Sequence, residues 1–214
     1  MLVGKRMTRN PITLQLDVPI NDALALMREK NVRRVPVVDK KGKLVGVVTF
    51  NDLMQASPSP VTSLSIWEVT YLLSKITVQK VMKTDVVTAT EDMTLEDAAR
   101  LVAERKISCL PVLRGEELVG IITESDIFKV LLELMSAKEK GVRLTVFAPN
   151  VKGSLAQISS AITKRGGFIV TLNVFLGHDS ATWGCVLKVT DISKDDLMEA
   201  VKPFVVEIED VREI

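Results

Sequence analysis

At 214 residues, with 47% hydrophobic and 26% charged residues, the chain has room for two or three small packed domains and is too apolar to be disordered. Its 28 Lys and Arg against 27 Asp and Glu leave a net charge of +1, without the basic excess of a nucleic-acid binder. Aromatic residues, at 4%, are too few for base-stacking platforms, and two cysteines with one histidine (His178) fall short of a disulfide framework or a zinc site.

The opening "MLVGKRMTRNP" lacks an apolar signal core, and no apolar run reaches the length of a membrane span. A cytoplasmic protein without membrane or nucleic-acid partners is expected. The chain then repeats itself. Residues 3–39 align with 78–114 without a gap, and 43–53 align with 117–127. Identities include Val3/Val78, Met7/Met82, Thr13/Thr88, Asp22/Asp97, Ala23/Ala98, Pro36/Pro111, Gly46/Gly120, Thr49/Thr123 and Asp52/Asp126.

Each copy reads β-α-β-β-α. An extended stretch, "NPITL" or "DVVTA", leads into an amphipathic helix with Ile20, Ala23, Leu24 and Met27, or Leu95, Ala98, Ala99 and Val102, on one face. Pro19 suits the opening turn of the first helix, and Thr94 with Asp97 forms a capping pair for the second. Two apolar strands follow, joined by a loop with Gly42 or Gly115, and a further helix starts at Thr-x-x-Asp. One such unit is too small to bury its own sheet, so two are expected to pack sheet against sheet. Between them lie the Pro/Ser-rich "QASPSPVTSLS" and a helix, "SIWEVTYLLSKI", with Ser65 and Glu68 at capping-box spacing.

After Gly141 the pattern changes to β-α-β-β-α-β, the ferredoxin-like order. "VRLTVFA" alternates as a strand, "GSLAQISSAITKRGG" is a helix closed by Gly166 and Gly167, and "FIVTLNVFLG" and "ATWGCVLKVT" are strands meeting at a turn. A helix begins at Ser193, and "VVEIEDVREI" closes the chain as a strand. The expected fold class is α+β, with domains at 1–62, 63–140 and 141–214.

The motifs "GVVTFND" and "GIITESD" carry the candidate chemistry. The glycine permits close backbone approach. Thr49 with Asp52, and Thr123 with Asp126, can act as helix caps. The same groups can also hold a ligand: a carboxylate accepts both hydroxyls of a ribose diol, and a threonine hydroxyl beside helix amides suits phosphate. The copies differ upstream. "NVRRVPV" places Arg33 and Arg34 where "KISCLPV" has Ser108 and Cys109, so stronger phosphate recognition is expected from the first copy, unless the arginines form a salt bridge between copies.

Met7-Thr8, Asp22-Ala23, "RVPVVD" and "GVVTFND", with their counterparts at Met82, Asp97-Ala98, "CLPVL" and "GIITESD", resemble a tandem pair of cystathionine-β-synthase (CBS) domains over about residues 1 to 137. The resemblance implies a Bateman module, a pseudo-two-fold pair with an adenosine nucleotide in its cleft. Asp52 and Asp126 would hold ribose, Thr49 and Thr123 would approach phosphate, and backbone around Ile12 and Val87 would line adenine pockets. The last third, through "VFAPNVKGSLAQIS", resembles an ACT domain, an amino-acid-sensing fold. Where that family shows Asp-x-Pro-Gly, this chain has Asn150, Val151, Lys152 and Gly153, and amides near Gly153, Ser154 and Leu155 could cap an amino-acid carboxylate. The whole arrangement resembles acetoin-utilisation B-type regulatory proteins. It implies a homodimeric sensor of AMP, ADP, ATP, NAD or S-adenosylmethionine that acts on a regulated protein. The alternatives are an amino-acid sensor in which the CBS pair only dimerises, and a structural interaction module. No nucleophile–base set or metal cluster is legible, so neither catalysis nor a catalytic cofactor is expected.

Overall fold

The computed structural model describes residues 1–56 and 75–214. The Pro/Ser-rich stretch, Trp67 and most of the expected connecting helix lie outside the described residues. Two compact units divide the chain, Met1–Ile127 and Phe128–Ile214.

In the first unit each repeat builds a small sheet beside an amphipathic helix. The first repeat contributes β2 (Leu14–Gln15), α1 (Ile20–Glu29), β3 (Arg34–Val38), β4 (Leu44–Thr49) and α2 (Phe50–Gln55). Strand β2 runs parallel to β3, and β3 runs antiparallel to β4. Ile20, Ala23, Leu24 and Met27 are buried against Val35, Val37, Val48 and Leu53, as the helical spacing predicts. Pro19 is the N-cap of α1, one position before its opening turn. The second repeat follows with α3 (Val78–Val81), β5 (Ala89–Thr90), α4 (Leu95–Arg105), β6 (Cys109–Arg114), β7 (Glu117–Thr123) and α5 (Glu124–Leu134). Thr94 caps α4 by accepting the Asp97 amide at 3.0 Å.

The repeats are joined by an exchange of their leading segments. The short β1 (Thr8–Arg9) adds to the second repeat, pairing antiparallel with Ile121 and Gly120 of β7. Reciprocally, Lys83 pairs with Val47 of β4 through two backbone hydrogen bonds of 2.9 Å. Val3 donates to the Met93 carbonyl, while Val78 donates to that of Val18. Arg9 and Arg114 both pair with Glu91 and hold its carboxyl below the usual carboxylate range, Arg114 through its hydrogen bond most of all. The identities at Val3/Val78 and Met7/Met82 therefore mark segments that dock on the opposite copy. The repeated glycines mark where they dock. A Cβ on Gly46 would meet Met82 Sδ at 2.7 Å, and one on Gly120 would run into Met7 Sδ. Val47, Cys109 and Ile121 fill the seam between the two sheets.

The second unit contains β8 (Val142–Pro149), α6 (Ser154–Lys164), β9 (Phe168–Leu176), β10 (Thr182–Thr190), α7 (Lys194–Val201) and β11 (Glu207–Glu213). Its sheet order is β11-β8-β10-β9 with every neighbour antiparallel, the ferredoxin-like arrangement. Val142, Leu144, Val146 and Ala148 share the buried face with Cys185, Leu187 and Val189, under Ile158, Ile162, Leu197 and Val201. Ser193 caps α7 by accepting the Asp196 amide at 3.1 Å.

The division between units falls inside α5, upstream of the 140/141 boundary read from the sequence. The reason is chemical. Lys188, only 3% exposed on β10, donates to the carbonyls of Ser136 at 2.6 Å and Glu139 at 2.9 Å. Thr171 Oγ1 donates to the Leu134 carbonyl at 2.8 Å. These bonds satisfy carbonyls at and beyond the helix end that the helix itself leaves unpaired.

Candidate functional site

Each Thr-x-x-Asp is a reciprocal cap. At α2 the Asp52 amide donates to Thr49 Oγ1 at 3.2 Å, while the Thr49 amide and hydroxyl both donate to Asp52 Oδ2, at 2.9 and 2.6 Å. At α5 the Asp126 amide donates to Thr123 Oγ1 at 3.4 Å, and the Thr123 amide and hydroxyl donate to Asp126 Oδ2 at 3.0 and 2.7 Å. The capping role is therefore present in both copies. It uses Oδ2 of each carboxylate and fixes where Oδ1 points.

A cavity of about 140 Å³ opens beside the first cap, and both repeats build it. Val47 and Thr49 come from the first repeat; Val86, Val87, Ile107, Ser108 and Cys109 come from the second. The exchange of leading segments explains this mixture, because Lys83 pairs with Val47 and carries Val86 and Val87 across to β4. Thr49 thus meets Val87. Ile12, Asp52, Thr123 and Asp126 do not line this cavity, and Ile12 packs against the first repeat's own core.

The charged lining residues are Lys83, Asp85, Lys106 and Glu124. Glu124 is engaged: Arg34 Nη2 lies 3.3 Å from its Oε2, across the repeats. Arg34 therefore takes the inter-repeat salt-bridge role, while Arg33 is exposed, and neither lines the Thr49 cavity. Cys109 is buried, which pushes its thiol up to about 11; Arg34 and Lys83 oppose the shift, and Glu124 and Asp52 reinforce it. Asp52 adjoins the cavity through its 2.6 Å hydrogen bond from the Thr49 hydroxyl, without lining it. Lys83, Lys106 and Glu124 were not singled out from the sequence. Glu124 lies inside "TESD" and was accessible to inspection, whereas the lysines become site residues only through the exchanged topology.

In the second unit, helix α6 starts at Gly153, whose φ of 89° is left-handed, and has no side-chain cap. Ser154 is 3% exposed and its Oγ has no hydrogen-bond partner. Asn150 donates to the Ser180 carbonyl at 3.0 Å, and Trp183 Nε1 donates to that of Pro149 at 2.9 Å, so both tie down the loop before α6. Leu155 is exposed. Among the described residues there is no group of three His, Cys, Asp or Glu able to hold a metal, and no helix long and apolar enough to cross a membrane.

Two curated relatives illustrate the similarity. An uncharacterised protein of Methanocaldococcus jannaschii is 36% identical over 137 residues, covering 62% of this chain and 32% of the relative. The inosine-5'-monophosphate dehydrogenase of Nitrosopumilus maritimus is 30% identical, covering 82% of this chain and 34% of the enzyme. The chain thus spans about a third of the length of these relatives. Among solved structures, a Vibrio cholerae protein named for acetoin utilisation (AcuB) matches with TM-score 0.53 and 35% identity, over 64% of this chain and 95% of its own. CBSX2 of Arabidopsis thaliana in complex with AMP matches with TM-score 0.52 and 32% identity, over 63% and 98%. The CBS domain pair of a protein named MJ0100, in complex with 5'-methylthioadenosine and S-adenosyl-L-methionine, matches with TM-score 0.52 and 28% identity, over 65% and 98%. The CBS domain family itself matches at residues 3–59 and 78–133, more than half of the sequence and both copies of the repeat, and the chain belongs to that family.

Proposed function

We propose that this chain is a non-enzymatic regulatory protein that binds an adenosine nucleotide between its CBS repeats and relays occupancy through a homodimer to a regulated protein. The observation that carries this reading is the joint cavity, in which Thr49 of one repeat and Val87 of the other share one space. Its apolar walls (Val47, Val86, Val87, Ile107) suit a purine. At about 140 Å³ it is smaller than the several hundred Å³ that enclose a whole drug-sized ligand, so the base sits inside and the rest of the nucleotide extends outward. Asp52 is the ribose ligand, accepting the diol on Oδ1 while Oδ2 keeps the cap; Asp126 plays that part in the pseudo-symmetric cleft with Ile12. The AMP complex of the Arabidopsis protein and the S-adenosylmethionine complex of the MJ0100 pair support the ligand class. Exposed apolar side chains on α5 (Phe128, Leu131, Leu132) and on the edge strand β9 (Val174, Phe175, Leu176) support self-association.

The test is a thermal-shift panel of AMP, ADP, ATP, NAD and S-adenosylmethionine on the full chain, with molar mass by light scattering. A ligand at 100 times its Kd stabilises by about 2.7 kcal/mol, a clear shift. Asp52→Asn or Asp126→Asn should weaken the response, since a neutral amide oxygen accepts the diol hydroxyls less strongly than a carboxylate does. A flat panel refutes the reading.

A second reading has its own observation. The buried, unpartnered Ser154 hydroxyl at an uncapped helix start is what an ACT-like amino-acid site would contain. A panel of amino acids, with Ser154→Ala as control, decides whether that end takes a carboxylate.

A further inference from the structure

We infer that the Thr49 cavity selects phosphate-bearing adenosine ligands over phosphate-free ones, and that Lys83 and Lys106, both from the second repeat, supply the cations. This rests on the reading of that cavity as an adenosine site. Both lysines line the cavity, both are exposed, and among the described residues neither side chain has an acidic partner. Several other cations of the same unit are engaged: Arg9 and Arg114 by Glu91, Arg34 by Glu124, Lys43 by Glu116, and Arg100 by Asp97 and Glu104. With Glu124 paired to Arg34, the two lysines share the lining with Asp85, while Asp52 is engaged in its cap with Thr49, so both ammonium groups are open to an incoming phosphate. Their positions are set by backbone. Lys83 is held by its paired hydrogen bonds to Val47, and Lys106 takes the left-handed C-cap of α4 with φ 51°. Because the enclosed part admits only the base, the phosphate emerges beside side chains that are exposed and unpaired. A lysine ammonium is a compact point charge suited to such a site.

Phosphate recognition at this cavity thus moves away from the arginines of the first repeat. Arg33 and Arg34 were the expected phosphate ligands, yet Arg34 is committed to Glu124 and Arg33 is outside the cavity lining. The two lysines lie on the bridging segment and the helix end contributed by the other copy.

The experiment is isothermal titration calorimetry of the full chain with adenosine, AMP, ADP and S-adenosylmethionine, on the natural sequence, Lys83→Gln/Lys106→Gln and Arg33→Gln. Both lysines are exposed, so the core is left intact, which circular dichroism verifies. We expect AMP and ADP to bind about tenfold or more tightly than adenosine and S-adenosylmethionine. In the double lysine variant that advantage should fall to within about twofold, with adenosine affinity unchanged and the salt dependence of AMP binding reduced. An advantage that survives the lysine substitutions, one that Arg33→Gln abolishes instead, or S-adenosylmethionine binding tighter than AMP would each overturn the inference while leaving the adenosine site standing. If adenosine and all its derivatives fail to bind, the proposed function falls, and the inference with it.

Discussion

Gly46 and Gly120 occupy equivalent positions in the two repeats, yet alanine should cost different amounts at each. Neither glycine has a positive φ, so a side chain is excluded by its surroundings and not by backbone conformation. At Gly46 the added Cβ meets Met82 Sδ at 2.7 Å and the Lys83 carbonyl oxygen at 3.0 Å. That carbonyl accepts from Val47 at 2.9 Å, so relief requires moving a paired backbone. Overpacking of this kind costs about 1–3 kcal/mol, offset by about 0.4–1 kcal/mol from the reduced freedom of the unfolded chain, a net loss of about 1–2 kcal/mol. At Gly120 the nearest atoms all belong to the Met7 side chain, which can turn away. A strained rotamer costs about 0.5–1.5 kcal/mol, and with the same offset Gly120→Ala should fall between about −0.5 and +1 kcal/mol, centred near neutral. Scanning calorimetry should resolve the difference, since about 1 kcal/mol moves the Tm of a unit this size by roughly 4 °C. Met7→Ala should cancel the residual cost of Gly120→Ala, whereas Met82→Ala should only partly rescue Gly46→Ala. Equal losses at the two glycines, or full rescue at Gly46, would refute the assignment of the Lys83 backbone as the limiting contact.

The Cys109 thiol, raised from an ordinary 9.0 to about 11 by burial, makes alkaline stability site-specific. Above pH 9 the unfolded chain releases a proton that the folded chain keeps, so stability falls from about pH 9 to about pH 11. Cys109→Ala should reduce that slope of the urea-midpoint profile, leaving the share of buried Cys185, pushed up to about 12, and an unchanged slope would contradict the burial argument. Lys188→Met keeps the stem but strands the Glu139 carbonyl and leaves that of Ser136 only the Glu139 amide, for a loss of about 1–3 kcal/mol. Hydrogen exchange should then quicken at the C-terminal end of α5 and in residues 134–141, with the core of the β8–β11 sheet less affected.

What the sequence made legible is local. The stripe Ile20-Ala23-Leu24-Met27 needs only the helical period, and the caps at Thr49, Thr94, Thr123 and Ser193 need only a partner three residues on. The ferredoxin-like order followed in the same way from alternation and turn residues. Long-range pairing was not legible. Nothing in "VMKTDVV" announces that Lys83 bonds to Val47, so the cavity's mixture of Thr49 with Val87 was out of reach, though both residues were candidates. Alternation also misleads at Lys188. Between buried Leu187 and Val189 it occupies the opposite sheet face, where a lysine normally meets water. It is buried because the chain beyond α5 covers that face and offers carbonyls to its ammonium.

The same reciprocity limits how alike the two clefts can be. Duplication preserves backbone features: Gly46 and Gly120 receive Met82 and Met7, and Val47 and Ile121 receive Lys83 and Thr8. Side chains at matched positions differ in charge. Lys83 stands where the first copy has Thr8, Lys106 where it has Asn31, Cys109 where it has Arg34, and Glu124 where it has Phe50. Because each leading segment crosses to the opposite sheet, these differences are also exchanged, and the first repeat's cap faces the second repeat's charges. The Arg34–Glu124 bridge joins two of the unmatched positions. One neutralises the other, so a change at either residue alters the electrostatics on both sides of the pseudo-dyad. Under the proposed function, two clefts with one backbone plan and unlike charges are expected to hold the same ligand with different affinities, without any conformational asymmetry being needed to separate them.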